Sequence, residues 1–96
     1  MKHKIFTVYD SKAKAYLPPF FLHEEGMAIR GFTTAVNDKT HAFGQYPADY
    51  TLFNIGAFDD ATAQIVHQDP ISLGNGVEFV QKSEDENQLS LLEESA

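Results

Sequence analysis

Hydrophobic positions fall in short runs separated by polar, turn-forming stretches. In the second half the densest run lies in Tyr50–Asp60, where Leu52, Phe53, Ile55 and Phe58 follow the strand-favouring Tyr50 and Thr51. Asp59-Asp60 closes the run with turn chemistry. Apolar residues on consecutive positions, rather than alternate ones, predict a central strand covered on both faces. Lys4–Tyr9 reads as the first strand, with Ile5, Thr7 and Tyr9 on one face and Lys4, Phe6 and Val8 on the other. Residues 11–23 read as a long connection in which Pro18-Pro19 excludes regular structure. This connection carries Tyr16, Leu17, Phe20, Phe21 and Leu22. It therefore either packs under a helix or presents aromatics to a partner, and packing is favoured because aromatics dominate cores by area.

Glu24–Asn37 predicts a helix. Ala28, Ile29, Phe32, Ala35 and Val36 form one stripe on a 3.6-residue period. Glu24 and Glu25 suit its positive end, Lys39 suits the other, and Asn37-Asp38 is the expected stop. Gly31 weakens the helix by about 1 kcal/mol relative to alanine and marks a close approach to the sheet. Residues 40–49 read as a loop closed by Pro47-Ala48-Asp49. Asp59–Ala63 turns the chain, Gln64–His67 pairs back as a short strand, and Asp69-Pro70 breaks it. Gly74-Asn75-Gly76 is a turn signal, and Val77–Val80 reads as a last, edge strand with Glu78 facing water. The expected fold is α+β: a small mixed or antiparallel sheet of three to four strands with one helix packed on a face. Residues 1–82 form the single domain, and 83–96 an acidic, flexible tail.

Ninety-six residues allow one domain, and one this small is marginal alone, so a homodimer is a natural supplement. No cysteine is present, which excludes disulfides, thiol nucleophiles and thiolate metal sites. Neither a signal-peptide pattern nor a stretch of membrane-spanning length occurs, and the expectation is a soluble protein without membrane contact. The net charge of −7 is unevenly placed: residues 83–96 hold five acids and no base, whereas Lys2, Lys4, Lys12 and Lys14 lie in the first fourteen residues. Such asymmetry concerns partners rather than fold.

Chemistry-bearing constellations are sparse. His3, His23, His41 and His67 show no metal-ligand spacing. Asp59-Asp60 is a turn before it is a carboxylate pair, no serine stands in a nucleophile elbow, and Gly74-Asn75-Gly76 lacks the lysine and helix of a phosphate loop. The expectation is a protein without enzymatic activity, metal or cofactor. The basic beginning is more informative. Lys2, Lys4, Lys12 and Lys14 near Tyr16, Phe20 and Phe21 combine cations that track phosphates with rings that stack on bases. The plain alternative is a solvated strand end beside core aromatics. With so few lysines, single-stranded DNA binding would be weak and salt-dependent.

Four blocks carry a resemblance: Lys4–Ala13, Pro18-Pro19-Phe20-Phe21, Asp49–Asp60 and Pro70–Gly74. Together, over about residues 1–82, they resemble the small nonstructural protein of gokushovirus-type microviruses, which are single-stranded-DNA bacteriophages. The resemblance implies a non-virion protein of the host bacterial cytoplasm that promotes single-stranded genome synthesis. It supplies no functional residues, and the acidic balance does not favour tight DNA binding. A structural or assembly (scaffold-like) phage protein and an inhibitor of a host protein are the competing classes.

The tail carries Gln88-Leu89-Ser90-Leu91-Leu92. It resembles the short peptide by which bacterial polymerases and repair proteins dock on the host sliding clamp. In that mode the glutamine makes hydrogen bonds while the last two apolar residues enter a pocket, so Gln88, Leu89, Leu91 and Leu92 are the candidate partner-binding residues. The alternatives are a chance match, or a short helix whose Leu89 and Leu92 pack back on the domain.

Overall fold

The computed structural model describes residues 1–81. The long strand β1 (Lys2–Asp10) is followed by two short strands, β2 (Ala15–Tyr16) and β3 (Phe20–Leu22), and then by helix α1 (Glu25–Val36). A short helix α2 (Ala42–Gln45) and a 3-10 turn (Pro47–Asp49) lead into β4 (Tyr50–Asp59). The chain then runs through β5 (Ile65–Asn75) into a last helix, α3 (Gly76–Phe79). All strand pairings are antiparallel: β4 lies between β1 and β5, and β2 and β3 both pair with β1 on its other side. The fold is α+β as expected, although the sheet has five strands and three helices accompany it.

The core lies between the sheet and α1. Phe6, Val8 and Leu52 meet Ala28, Phe32 and Val36, all nearly inaccessible. The helical stripe read from the sequence is the packed one. Phe43 of α2 and Phe79 of α3 both pack against Phe32, tilted and edge-on respectively, with ring centroids 5.6 and 5.7 Å away. All three helices therefore sit on one side of the sheet.

Five local expectations are corrected. Pro18-Pro19 interrupts structure only at the prolines themselves, because Leu17 N–H bonds Val8 O at 2.8 Å and β3 pairs with Lys4–Phe6. Within 40–49 a helical turn forms, capped by His41, whose Nδ1 accepts from Phe43 N–H at 3.0 Å. Asp69-Pro70 does not end β5. It lies on the sheet edge, where a missing donor costs little, and at an irregularity in the β4 register. Val77–Phe79 belongs to a helix, because Asn75 and Glu78 form a reciprocal capping box. Gly31 does not touch the sheet; a side chain there would meet nothing within 4 Å, and the space belongs to an apolar groove of about 170 Å³.

The central strand is confirmed in position but not in cover: α1 shields one face of β4 and no helix among the described residues shields the other. Its consecutive apolar run has a different cause. Ile5 pairs with Gly56 and Phe6 with Asn54, so Ile55 is an extra residue that bulges out of the ladder. Gly56 stands at this bulge with φ of +154°. An added Cβ would lie 2.2 Å from Val66 O, so only glycine fits.

Candidate nucleic-acid interface

Strand alternation assigns the side chains of the helix-free face. On β1 they are His3, Ile5, Thr7 and Tyr9, opposite to the core residues Phe6 and Val8. Register adds Tyr16 (paired with Tyr9), Phe21 (with Ile5), Phe53 (with Thr7) and Phe58 (with His3). Ile65, His67 and Ser72 join them from β5 through Phe58, Gly56 and Phe53.

The aromatics form two groups. Tyr9 and Tyr16 lie 4.8 Å apart between centroids, and Phe53 meets Tyr16 edge-on at 5.7 Å. Phe21 and Phe58 are 5.9 Å apart, and His3 lies 6.1 Å from Phe58 and 4.4 Å from His23. His3, Phe21, Phe58 and Ile65 line a shallow cleft of about 300 Å³. Tyr16 and Phe21 remain half exposed, at 50% and 49%, and Ile65 is 64% exposed. Beneath these rings Ile5 and Thr7 are buried, and Thr7 Oγ1 satisfies itself by donating to Leu17 O at 2.6 Å. Half-exposed rings over a buried floor are costly in water and useful for stacking.

No acid of the described residues is paired in register on this face, but Asp60 borders it through its 2.8 Å contact with His3. Lys12 and Lys14 occupy the exposed β1–β2 turn at the Tyr16 end, where Asp10 Oδ1 accepts from Lys12 and Ala13 N–H and holds the turn. Lys2 and Lys4 lie at the opposite end of β1. Lys2 and Lys4 alternate with His3 and Ile5 and so project with Phe6 and Val8 from the opposite side of the sheet, which leaves Lys12 and Lys14 as the lysines at an end of this face. Lys4 Nζ is 4.0 Å from Glu24 Oε2, an exposed contact of little energetic weight.

The candidate residues do not all fall on one surface. Tyr16 and Phe21 are on the open face, whereas Phe20, partly buried, stacks on Phe6 at 5.7 Å and belongs to the core side. Phe53 and Phe58 join this face although the sequence does not mark them as candidates. They are five residues apart, so simple alternation puts them on opposite faces; the Ile55 bulge brings them to the same one. The available signal was Gly56 in a strand interior. Gln88, Leu89, Leu91 and Leu92 lie outside the described residues.

At the Phe58 end, Asp60 accepts from the Met1 amine (2.8 Å) and contacts His3 Nε2 (2.8 Å). The amine hydrogen bond, then that of His3, holds the Asp60 carboxyl below its ordinary value, and Asp60 raises the amine. Among the described residues no group of three or more histidines or acids converges as a metal site. No helix among them is long and apolar enough to cross a membrane.

A family model described as phage ORF5 protein matches residues 3–79. The chain belongs to that family and is a bacteriophage protein. Comparison with curated proteins gives no match, and comparison with solved structures gives none either.

Proposed function

We propose that this phage protein is a non-enzymatic accessory of genome replication that holds single-stranded DNA weakly on its helix-free sheet face and acts in the host cytoplasm. The observation that carries this reading is a half-exposed aromatic surface on the helix-free side of the sheet, with Lys12 and Lys14 in the turn at its Tyr16 end. Rings stack on bases of any sequence, and lysines follow the phosphates. With few cations the affinity is modest and falls steeply with salt.

Titration of a labelled oligonucleotide at about 50 mM salt tests it. The protein should bind, and removal of residues 83–96, with their five acids, should tighten binding by relieving charge competition. Absence of binding by both forms would end this reading.

A second reading, an assembly protein that pairs with its own copies, draws on the β5 edge, where Ile65, Val66 and Ile71 are more than half exposed. Sedimentation separates the two: a stable dimer insensitive to DNA favours assembly. The proposal extends to docking on the host clamp through Gln88, Leu89, Leu91 and Leu92, supported by the sequence pattern alone.

A further inference from the structure

We infer that the open face engages one DNA strand at two stacking platforms simultaneously, so that it takes single-stranded DNA above a minimum length. This rests on the single-stranded DNA reading above. The first platform is Tyr9, Tyr16 and Phe53; the second is the cleft of Phe21 and Phe58 beside His3.

The spacing between the platforms follows from register. Tyr16 stands opposite Tyr9 and Phe21 opposite Ile5. Those partners are four residue steps apart, about 13 Å along β1 at roughly 3.3 Å per residue. A single strand stacked at about 3.4 Å per base covers that distance in about four steps. A strand of five or six nucleotides running along β1 therefore reaches both platforms, whereas a trinucleotide reaches one.

The surface between the platforms supports a bridging strand. Ile5 and Thr7 lie buried beneath the rings, and the Thr7 hydroxyl is taken up by Leu17 O, so neither leaves a free polar group or a charge for the strand. The middle of the strand therefore gains no polar contact from Ile5 or Thr7, and binding is concentrated in the bases at the two ends. The Tyr16 end also meets cations, Lys12 and Lys14 of the β1–β2 turn. Duplex DNA, whose bases are stacked internally, presents no free ring faces to either platform and should bind much less well than the single strand.

The test is a length series on the full-length protein: dT3, dT8 and dT20 at low salt, with Tyr16→Ala and Phe21→Leu. Phe21→Leu keeps apolar cover over Ile5 while removing the ring, and a thermal melt confirms that each variant is folded. The affinity for dT8 should exceed that for dT3 by at least about tenfold, and either substitution should remove that step, the loss of one stacking platform. A dT8 lacking its central bases should bind nearly as well as intact dT8, whereas one lacking its terminal bases should fall to the dT3 level. If dT20 binds but affinity grows smoothly with length, or central and terminal base removal cost the same, the two-platform inference is overturned and the binding function stands. If dT20 does not bind at all, both fail.

Discussion

Replacing Asn75 tests whether residues 76–79 form a helix that braces the core. Asn75 Oδ1 accepts from Val77 N–H at 3.1 Å, its Nδ2 donates to Ala48 O at 3.0 Å and Thr51 Oγ1 at 3.1 Å, and Glu78 caps the Asn75 N–H in return. This one side chain therefore starts α3, ties it to the 3-10 turn and fixes it to the beginning of β4. In Asn75→Ala the lost cap costs about 1 kcal/mol. Each further hydrogen bond costs about 0.5–1.5 kcal/mol, towards the lower end because the site is partly exposed. The expected destabilisation is roughly 2–3 kcal/mol, or a Tm loss of roughly 8–24 °C for a domain of this size. Asn75→Ser retains the cap acceptor but is too short to reach Ala48, so it should recover about 1 kcal/mol of that loss. Urea denaturation followed by circular dichroism measures both. If Asn75→Ala stays within about 0.5 kcal/mol of the parent, or serine recovers nothing relative to alanine, the capping argument is wrong.

Other perturbations reach different parts of the molecule. Gly56→Ala places a Cβ 2.2 Å from Val66 O at a positive φ and should cost roughly 2–4 kcal/mol in a urea melt; a neutral result would refute the bulge geometry. Because the Asp60 carboxyl lies below its ordinary 3.8, its stabilising contribution is complete above about that pH and is lost as pH falls through the depressed value. Asp60→Asn should therefore flatten the acid arm of Tm between pH 2 and 6, and an unchanged profile would remove that ion pair from the account. Replacing Gln88, Leu91 and Leu92 together by alanine should abolish binding to purified host clamp in calorimetry, at a parent Kd of micromolar order, about −8 kcal/mol, without altering the melt. Identical flat traces for parent and triple variant would reduce the tail pattern to chance.

The parts of the fold legible in the sequence were those with a strong repeating pattern. The α1 stripe and the alternation of β1 needed only local periodicity, whereas β4 was placed at the centre from a consecutive apolar run that the Ile55 bulge produces. The misreadings share a physical cause: an element was supported by one or two specific side chains. Asn75 and Glu78 turn Val77–Phe79 helical although valine and phenylalanine favour strands. The sheet edge lets Pro70 stay in β5, and neighbouring N–H groups still pair on either side of Pro18-Pro19. The make-up of the helix-free face was legible only in part. Tyr16 and Phe21 were identified among the aromatics, but Phe20, next in sequence to Phe21, faces the core. Phe53 and Phe58 come together only through a bulge that a two-residue period cannot anticipate.

The most direct test of the helix-free face is a nuclear magnetic resonance titration of the full-length protein with dT8, reading the aromatic and methyl signals. The account predicts shifts at Tyr9, Tyr16, Phe21, Phe53, Phe58 and Ile65, with Phe32, Phe43 and Met27 on the helical side unmoved. Shifts confined to the helical side, or none at millimolar oligonucleotide, would contradict it.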